Sequence, residues 1–555
     1  MNDFPGMTLR TPHVLDLVHD NPGDAPFVTA FNNPETLKSF GYDAKVFMIF
    51  DSPQLAINWE AFDASIFPRG SMERNWVEEK AARLKRLYGD VKAAGLGVLC
   101  MSDLILLPKK LARKMEEEGT DWRDPRHPRT QALLRHMIAE SFEILPELDG
   151  LIVRIGETYL DDAPHHAGGI REKKSPEETI IPLMQLLREE LCVKRAKQLY
   201  FRTWLSFDTD AEAYLKVCDA IEPHPLLTIS VKHCEGDFHR GNRFSRILGT
   251  GRHPQIVEVQ CAREYEGKGC YPNYIGEGVI NGFEEYSNTM ESFDLKGIRE
   301  FAAKSPLYAG IWTWSRGGGW LGPYTRNEFW CSLNAWVMAR WARNPQRSEE
   351  EVFNEYAREV LKLSHEDALR FRKLCLLSAQ AVVRGKRTTH NDIRPWWSRD
   401  QYIREPDLPK DPAIRERVLG EKREALDIWN EICTLSQEIR FADEATASFV
   451  RVTCDYGRFL YAIYRLNFEM MDCEENFDPV AADQLLRDYA AVWKDWQEYA
   501  EKHADSPTLY KEEGFRYTPG QGASGDEKHG VGALAGRLAK KLAKIKTPQL
   551  SQTTK

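Results

Sequence analysis

From about residue 45 to 345, short β-branched and aromatic runs alternate with longer stretches of helical period, and this alternation constrains the chain more than any other feature. A chain that returns to a strand after each helix builds parallel strands, because a crossover helix brings the next strand back in the same direction. The runs predict strands at Val46–Phe50, Gly97–Met101, Gly150–Ile155, Leu199–Leu205, Leu227–Lys232, Ile256–Cys261 and Ala309–Trp314. Helices such as Val77–Ala93, Thr130–Leu145, Glu177–Leu191 and Leu295–Ala303 are expected between them. An eighth strand is expected at Phe27–Phe31 or between Gly267 and Ser305, and eight βα units fit a (β/α)8 barrel of the TIM type better than an open sheet.

After Asn344-Pro345 the strand signals stop. Amphipathic segments at about 348–363, 365–385, 411–440, 443–471 and 479–503 predict an all-α domain. The expected division is an N-terminal segment 1–44 that contributes to the barrel, a barrel 45–345, a helical domain 346–515 and a Gly-rich, basic tail 516–555. The connection from Asn391 to Pro412 is long enough to be a functional loop or an interface element. In the tail, Arg537, Lys540, Lys541, Lys544 and Lys546 line a short basic helix, read as solvated.

Composition removes several classes. Lys plus Arg number 75 against 84 Asp plus Glu, so the net charge of -9 offers no broad field for nucleic acid. No stretch reaches the roughly 18 apolar residues of a membrane span. The opening MNDFPGMTLRTPHV has neither the basic start nor the apolar core of a secretory signal, which points to the cytoplasm. The 11 cysteines are scattered without a CxxC pair and are expected to be reduced.

In such a barrel the chemistry sits at the carboxyl ends of the strands, where the loops share one cleft. That rule selects Glu157 after the strand Gly150–Ile155, Asp237 in HCEGD after Leu227–Lys232, and Glu264 in AREYEG after Ile256–Cys261. A carboxyl trio suits glycosidic hydrolysis, which needs one protonated acid and one carboxylate to activate water or attack the anomeric carbon. Pairing with a neighbouring Arg or Lys is the structural alternative for each acid. Arg154, Arg202, Lys232 and Arg263 lie in the same segments; each alone reads as a salt-bridge partner, and together they suit an anionic substrate. Trp204, Tyr265, Tyr271, Tyr274, Trp312, Trp314 and Trp320 lie on or just beyond rim segments, as stacking faces for pyranose rings or as core.

Other motifs are weaker. His165-His166 with Asp161 and Asp162 matches no standard metal spacing, and a Cys234 or Cys261 nucleophile lacks a positioned base, since His233 points to the opposite face of its strand from Cys234. Arg316 to Trp320 is Gly rich but has neither a GxGxxG pattern nor a Walker Lys, and reads as a flexible rim loop. No metal or organic cofactor is implied.

The rim segments resemble the α-glucuronidases of glycoside hydrolase family 67. KHCEGDF followed by VEVQCAREYEGKG is similar to that family's Lys-x4-Asp-Phe and Glu-x-Gln-x3-Glu-Tyr-x-Gly blocks, and GLIVRIGE to the strand that delivers its general acid. The resemblance implies that Asp237 and Glu264, 27 residues apart, activate water, and that Glu157, 80 residues before Asp237, is the acid. It gives Arg202 of FRTW and Lys232 to the sugar carboxylate, and NWEAFDASIFPRG and NEFWCSLNAWVMARWARNP resemble the family's barrel opening and its step into a helical C-terminal domain. Family members carry an N-terminal β domain for which the residues before the first expected strand leave no room, and the family's Lys four residues before its acid is Val153 here, with Arg154 next to it. With these departures the expected sugar is an anionic one, 4-O-methylglucuronate or another.

The expectation is thus a glycoside hydrolase that removes an α-linked uronic acid from an oligosaccharide, for instance in xylan degradation, by an inverting mechanism. Glu157, Asp237 and Glu264 would be catalytic, and Arg154, Arg202, Lys232, Arg263, Tyr265, Trp204 and Trp314 would bind substrate. The rivals are a hydrolase of the same barrel acting on a different acidic or neutral sugar, and a non-catalytic glycan-binding protein. The resemblance also implies a homodimer through the helical domain.

Overall fold

Strands buried on both faces carry near-continuous apolar runs, and a parallel sheet covered by helices requires this of its strands. Eight such strands close into a barrel of parallel neighbours in the order β1-β10-β9-β8-β7-β5-β3-β2. They are β1 (His13–His19), β2 (Ala44–Phe47), β3 (Gly97–Asp103), β5 (Gly150–Arg154), β7 (Gln198–Arg202), β8 (Leu227–Lys232), β9 (Gln255–Gln260) and β10 (Tyr308–Gly317). Two short strands, β4 (Leu106–Pro108) and β6 (His166–Gly168), pair antiparallel outside it. The computed structural model describes residues 12–19, 28–155, 163–170, 175–204, 207–318, 327–393, 408–504, 506 and 531–546.

The expected barrel forms, but its remaining strand is β1 and neither of the anticipated candidates. Ala30–Asn32 is a 3-10 turn, and the stretch from Gly267 to Ser305 holds short helices such as Gly276–Asn281 and Ile298–Lys304. The strand HVLDLVH is interrupted by Asp16, whose charge hides the apolar run, although every residue of it is buried. Asp16 faces Thr313 across the seam with β10, and its carboxylate accepts bonds from Thr313 Oγ1 at 2.6 Å and Ser315 Oγ at 2.8 Å. Gly317 ends the seam at φ 78, where a Cβ would collide with the main chain of His19.

Side chains alternate across each strand, so one set fills the barrel and the other packs on the surrounding helices. Leu15, Leu17, Val46, Leu99, Met101, Ile152, Tyr200, Ile256, Trp312 and Trp314 form the inner core. Val98, Leu151, Phe201, Val231 and Val259 belong to an outer core with the barrel helices, among them Met72–Ala93 and Pro128–Ile144.

After β10, α1 (Phe329–Arg343) packs back on that strand, and the helical domain follows as α2 (His365–Lys386), α3 (Pro412–Glu438), α4 (Glu444–Glu475) and α5 (Pro479–Lys502). Ser364, Asp411, Asp443 and Asp478 cap the last four by accepting main-chain N–H groups of the first turn, which explains why their starts were readable. Asn334 of α1 ties this helix to the loop after β9: its Nδ2 donates to the carbonyls of Cys261 and Asn273, each at 3.1 Å, and its Oδ1 accepts from Ile275 N at 3.1 Å. The basic helix α6 (Val531–Lys546) is not a solvated appendage. Val531, Leu534, Leu538 and Leu542 are buried where it contacts α4 and α5, because its apolar residues recur at helical spacing on one face. No described helix is long and apolar enough to cross a membrane.

Burial raises the Asp16 carboxyl to about 6 against the pull of its hydroxyl donors. Between about pH 4 and 6 the unfolded chain therefore loses a proton that the folded chain keeps, and folding stability falls as pH rises. Asp16→Asn removes this dependence. In urea titrations, the stability of the variant relative to wild type should improve by about 2 to 3 kcal/mol from pH 4 to pH 7; an unchanged difference would contradict the assignment.

Candidate active site

The inward residues at the carboxyl ends of the strands include His19 on β1, Asp103 on β3, Arg154 on β5, Arg202 on β7, Lys232 on β8, Gln260 on β9 and Trp314 on β10. Parallel closure brings all of them to one mouth. Asp237 and Glu264 follow β8 and β9, which are hydrogen-bonded neighbours. Glu157 and Trp320 lie outside the described residues, as do Asp161 and Asp162.

The cations of the mouth are paired with carboxylates of the barrel. Arg154 donates from Nε to Asp103 Oδ1 at 2.8 Å and from Nη2 to Oδ2 at 2.7 Å, with both residues buried. Arg202 grips Glu258 in the same way, with both bonds at 2.8 Å, and Glu258 also accepts Ser230 Oγ at 2.7 Å. Trp312 Nε1 donates to that hydroxyl at 2.8 Å, so Trp312 belongs to the lumen and not to a sugar platform. Charges this deeply buried persist only when paired. The Nε–Nη2 edge of each guanidinium thus holds Asp103 or Glu258, which is the salt-bridge pairing expected of each arginine taken alone. Arg263 pairs with Glu266 through Nε at 2.8 Å and Nη2 at 2.7 Å, and so braces its own loop.

Asp237 has a different setting. Lys232 Nζ donates to its Oδ1 at 2.6 Å, Phe238 N to the same oxygen at 3.1 Å, and the Tyr265 hydroxyl to its Oδ2. Burial alone would raise this carboxyl, but the Lys232 charge and the bonds from Lys232 and Tyr265 hold it well below the usual carboxylate range. Glu264 is oriented by Gln260, whose Nε2 donates to Glu264 Oε1 at 2.8 Å while its Oε1 accepts Glu264 N at 2.7 Å. Gly318 passes so close that a Cβ there would lie 2.8 Å from Gln260 Nε2 and 3.6 Å from Glu264 Cβ. Gly318, just after β10, thus makes room for a carboxylate.

Aromatic rings wall the mouth. The Lys232 ammonium lies 3.3 Å from the centre of the half-buried Trp204 ring and 4.7 Å from that of Phe238. Trp314 stacks on His19 at 4.6 Å and meets Phe238 edge-on at 5.4 Å, while Tyr265 stacks on His239 at 3.6 Å. Burial, then Arg154 and Arg202, lowers His19 to about 3, and burial, then Arg387, depresses His239 well below its ordinary value. Both rings are neutral at physiological pH. Tyr271 and Tyr274 face the helical domain instead, among Trp429 and Tyr461 and against Phe353 respectively. Burial likewise lowers His166 to about 4, and the ring packs beside Phe67 and Trp76.

Sequence reasoning did not select His19, Asp103, Phe238, His239 or Glu258. Asp103 ends its strand and was accessible to the rim rule. His19 went with the unrecognised β1, and Glu258 lies within a strand, before the rim.

No family model matches the chain, and no curated protein matches it. Solved structures do. A GH138 enzyme targeting pectin rhamnogalacturonan II superposes with a TM-score of 0.57 at 12% identity, over 100% of this chain and 70% of that one. The likeness is one of fold. An O-GlcNAc hydrolase variant from Thermobaculum terrenum gives 0.40 at 9% identity over 97% and 95% of the chains, and CpGH84B gives 0.41 at 10% identity over 96% and 77%.

Removing one member of a buried pair leaves the other charge unsatisfied. Lys232→Met and Asp237→Asn should each destabilise the fold by about 3 kcal/mol, and the double variant by at least 1 kcal/mol less than their sum. Urea unfolding at pH 7 measures the cycle, and strict additivity would show that the pair is not coupled.

Proposed function

We propose that the chain is a glycoside hydrolase that releases an α-linked uronic acid from an oligosaccharide by single displacement with inversion. The observation that carries this reading is Asp237: a carboxylate held ionised by Lys232 and Tyr265, walled by aromatic rings, one strand from Glu264. Cleavage of a glycosidic bond builds positive charge on the sugar ring, and a fixed anion beside the ring stabilises that charge.

The environments divide the work. A carboxylate held far below the working pH is a weak proton acceptor, because a general base is most effective near the operating pH. Asp237 therefore orients the water and opposes the ring charge, and Glu264 takes the proton. Glu157, which follows β5 in the sequence, gives its proton to the leaving oxygen. Inversion requires acid and base to stand about 6.5 to 9.5 Å apart with water between them. Trp204, half-buried beside Lys232, offers a flat face for the sugar, and Trp314 stacks on His19 behind it.

An acidic sugar is supported by cations beside Asp237, namely Lys232 and, acting on the neighbouring His239, Arg387. The fold likeness to an enzyme targeting pectin rhamnogalacturonan II is in keeping with it. A second reading, a hydrolase for a neutral sugar, is favoured by the commitment of Arg154 to Asp103 and of Arg202 to Glu258.

The test is a panel of oligosaccharides bearing terminal α-linked uronic acids, each beside its carboxyl-reduced counterpart, with sugar release followed by chromatography. The uronic members should be cleaved, and Glu157→Gln and Asp237→Asn should each slow release by about 100-fold or more. Equal cleavage of the reduced members would favour the neutral-sugar reading, and binding without release by wild type would indicate a glycan-binding protein.

A further inference from the structure

The site's carboxylates sit on barrel loops, yet the helical domain grips both loops from one helix end. Lys386, the last residue of α2, donates from Nζ to the carbonyl of Tyr265 and is only 3% exposed. Seven residues earlier on α2, the carbonyl of Ala379 accepts Arg240 Nη1 at 2.8 Å. Arg240 belongs to the loop that carries Asp237, and its main-chain N donates to Glu266 in the loop of Glu264 at 3.1 Å. Its remaining fork clasps Glu285 through two bonds of 2.9 Å.

The end of α2 is itself anchored. Lys422 on α3 donates to the carbonyl of Arg384 at 2.7 Å and to that of Arg387, which satisfies acceptors that a helix terminus leaves open. Glu421 accepts Thr389 N at 2.9 Å and Thr389 Oγ1 at 2.5 Å. An ammonium buried in a domain joint costs desolvation that an apolar side chain of similar length avoids, and here the ammonium reaches a main-chain acceptor at the rim. That acceptor is the main chain of the residue whose hydroxyl binds Asp237 and whose ring stacks on His239 at 3.6 Å.

We propose that Lys386 is a positioning residue of the carboxylate site: it fixes the Tyr265 main chain so that the phenol keeps its bond to Asp237. The helical domain then acts on catalysis through Tyr265 without touching substrate. The geometric part stands on these contacts alone, and only its catalytic consequence rests on the glycosidase reading.

The experiment has two arms on the full-length chain. In the first, the protein is labelled with 3-fluorotyrosine and studied by 19F NMR, with the Tyr265 resonance identified as the one lost in Tyr265→Phe. Lys386→Met should move that resonance, and Lys386→Arg should return it most of the way. An unmoved Tyr265 resonance in folded Lys386→Met overturns the proposal; should the Met variant not fold, Lys386→Gln takes its place, and an unmoved resonance there overturns it.

In the second arm, a uronic substrate that wild type cleaves is used for kinetics. Lys386→Met should lower kcat by about 10-fold to 100-fold with KM nearly unchanged, and combining it with Tyr265→Phe should add nothing to the loss from Tyr265→Phe alone. Additive losses, or a change in KM alone, overturn it. Absence of sugar release by wild type counts against the glycosidase reading, and the fluorine arm then decides the role of Lys386 by itself.

Discussion

The seam between β1 and β10 is the constraint on which the rest of the molecule depends. With the sheet open, the carboxyl ends of its strands would lie along a line; with the seam closed, they ring one mouth, and side chains from distant parts of the sequence meet. Closure is held from inside by apolar packing of Leu15 and Leu17 against the barrel core. From outside it is held by Asp16, which binds the hydroxyls of Thr313 and Ser315 across the seam. Burying that acid costs stability at neutral pH, and its bonds match β1 to β10 in one register, since a one-residue slip would turn Asp16 into the barrel.

Within the mouth, pairing of charge decides what each group is able to do. Arg154 with Asp103 and Arg202 with Glu258 are buried pairs that shape the floor. Lys232 differs because its partner Asp237 lies on a rim loop and is also bound by Tyr265, so one cation anchors the loop and keeps the acid ionised. His19 and His239 are kept neutral by burial and by surrounding cations, which makes them aromatic surfaces and hydrogen-bonding groups instead of charges. Among the described residues the mouth thus offers a fixed anion, aromatic rings and cations that are mostly paired.

Much of this was readable in the sequence, for reasons that can be named. Strands buried on both faces announce themselves as apolar runs, and the Ser and Asp caps of the long helices mark their starts. Asp237 and Glu264 were reachable because the barrel rule converts a position after a strand into a position at the mouth. β1 escaped because one buried acid breaks its pattern. The commitment of Arg202 to Glu258 escaped because it spans 56 residues and two strand spacings, which no local pattern records. The bond from Lys386 to Tyr265 crosses 121 residues and a domain boundary, and only the packing of α2 against the rim reveals it. The basic helix α6 was misjudged because its Lys residues are more conspicuous than the apolar stripe of Leu534, Leu538 and Leu542 beneath them.

The central claim is that Asp237 and Glu264 direct a water to the sugar from the face opposite the leaving group. Proton NMR of the anomeric signals in the first minutes of hydrolysis of an α-linked uronic oligosaccharide tests it most directly, before mutarotation mixes the products. The account predicts that free uronic acid appears first as the β anomer. First appearance of the α anomer would contradict it, because retention requires a covalent intermediate on one of these carboxylates in place of a water held between acid and base.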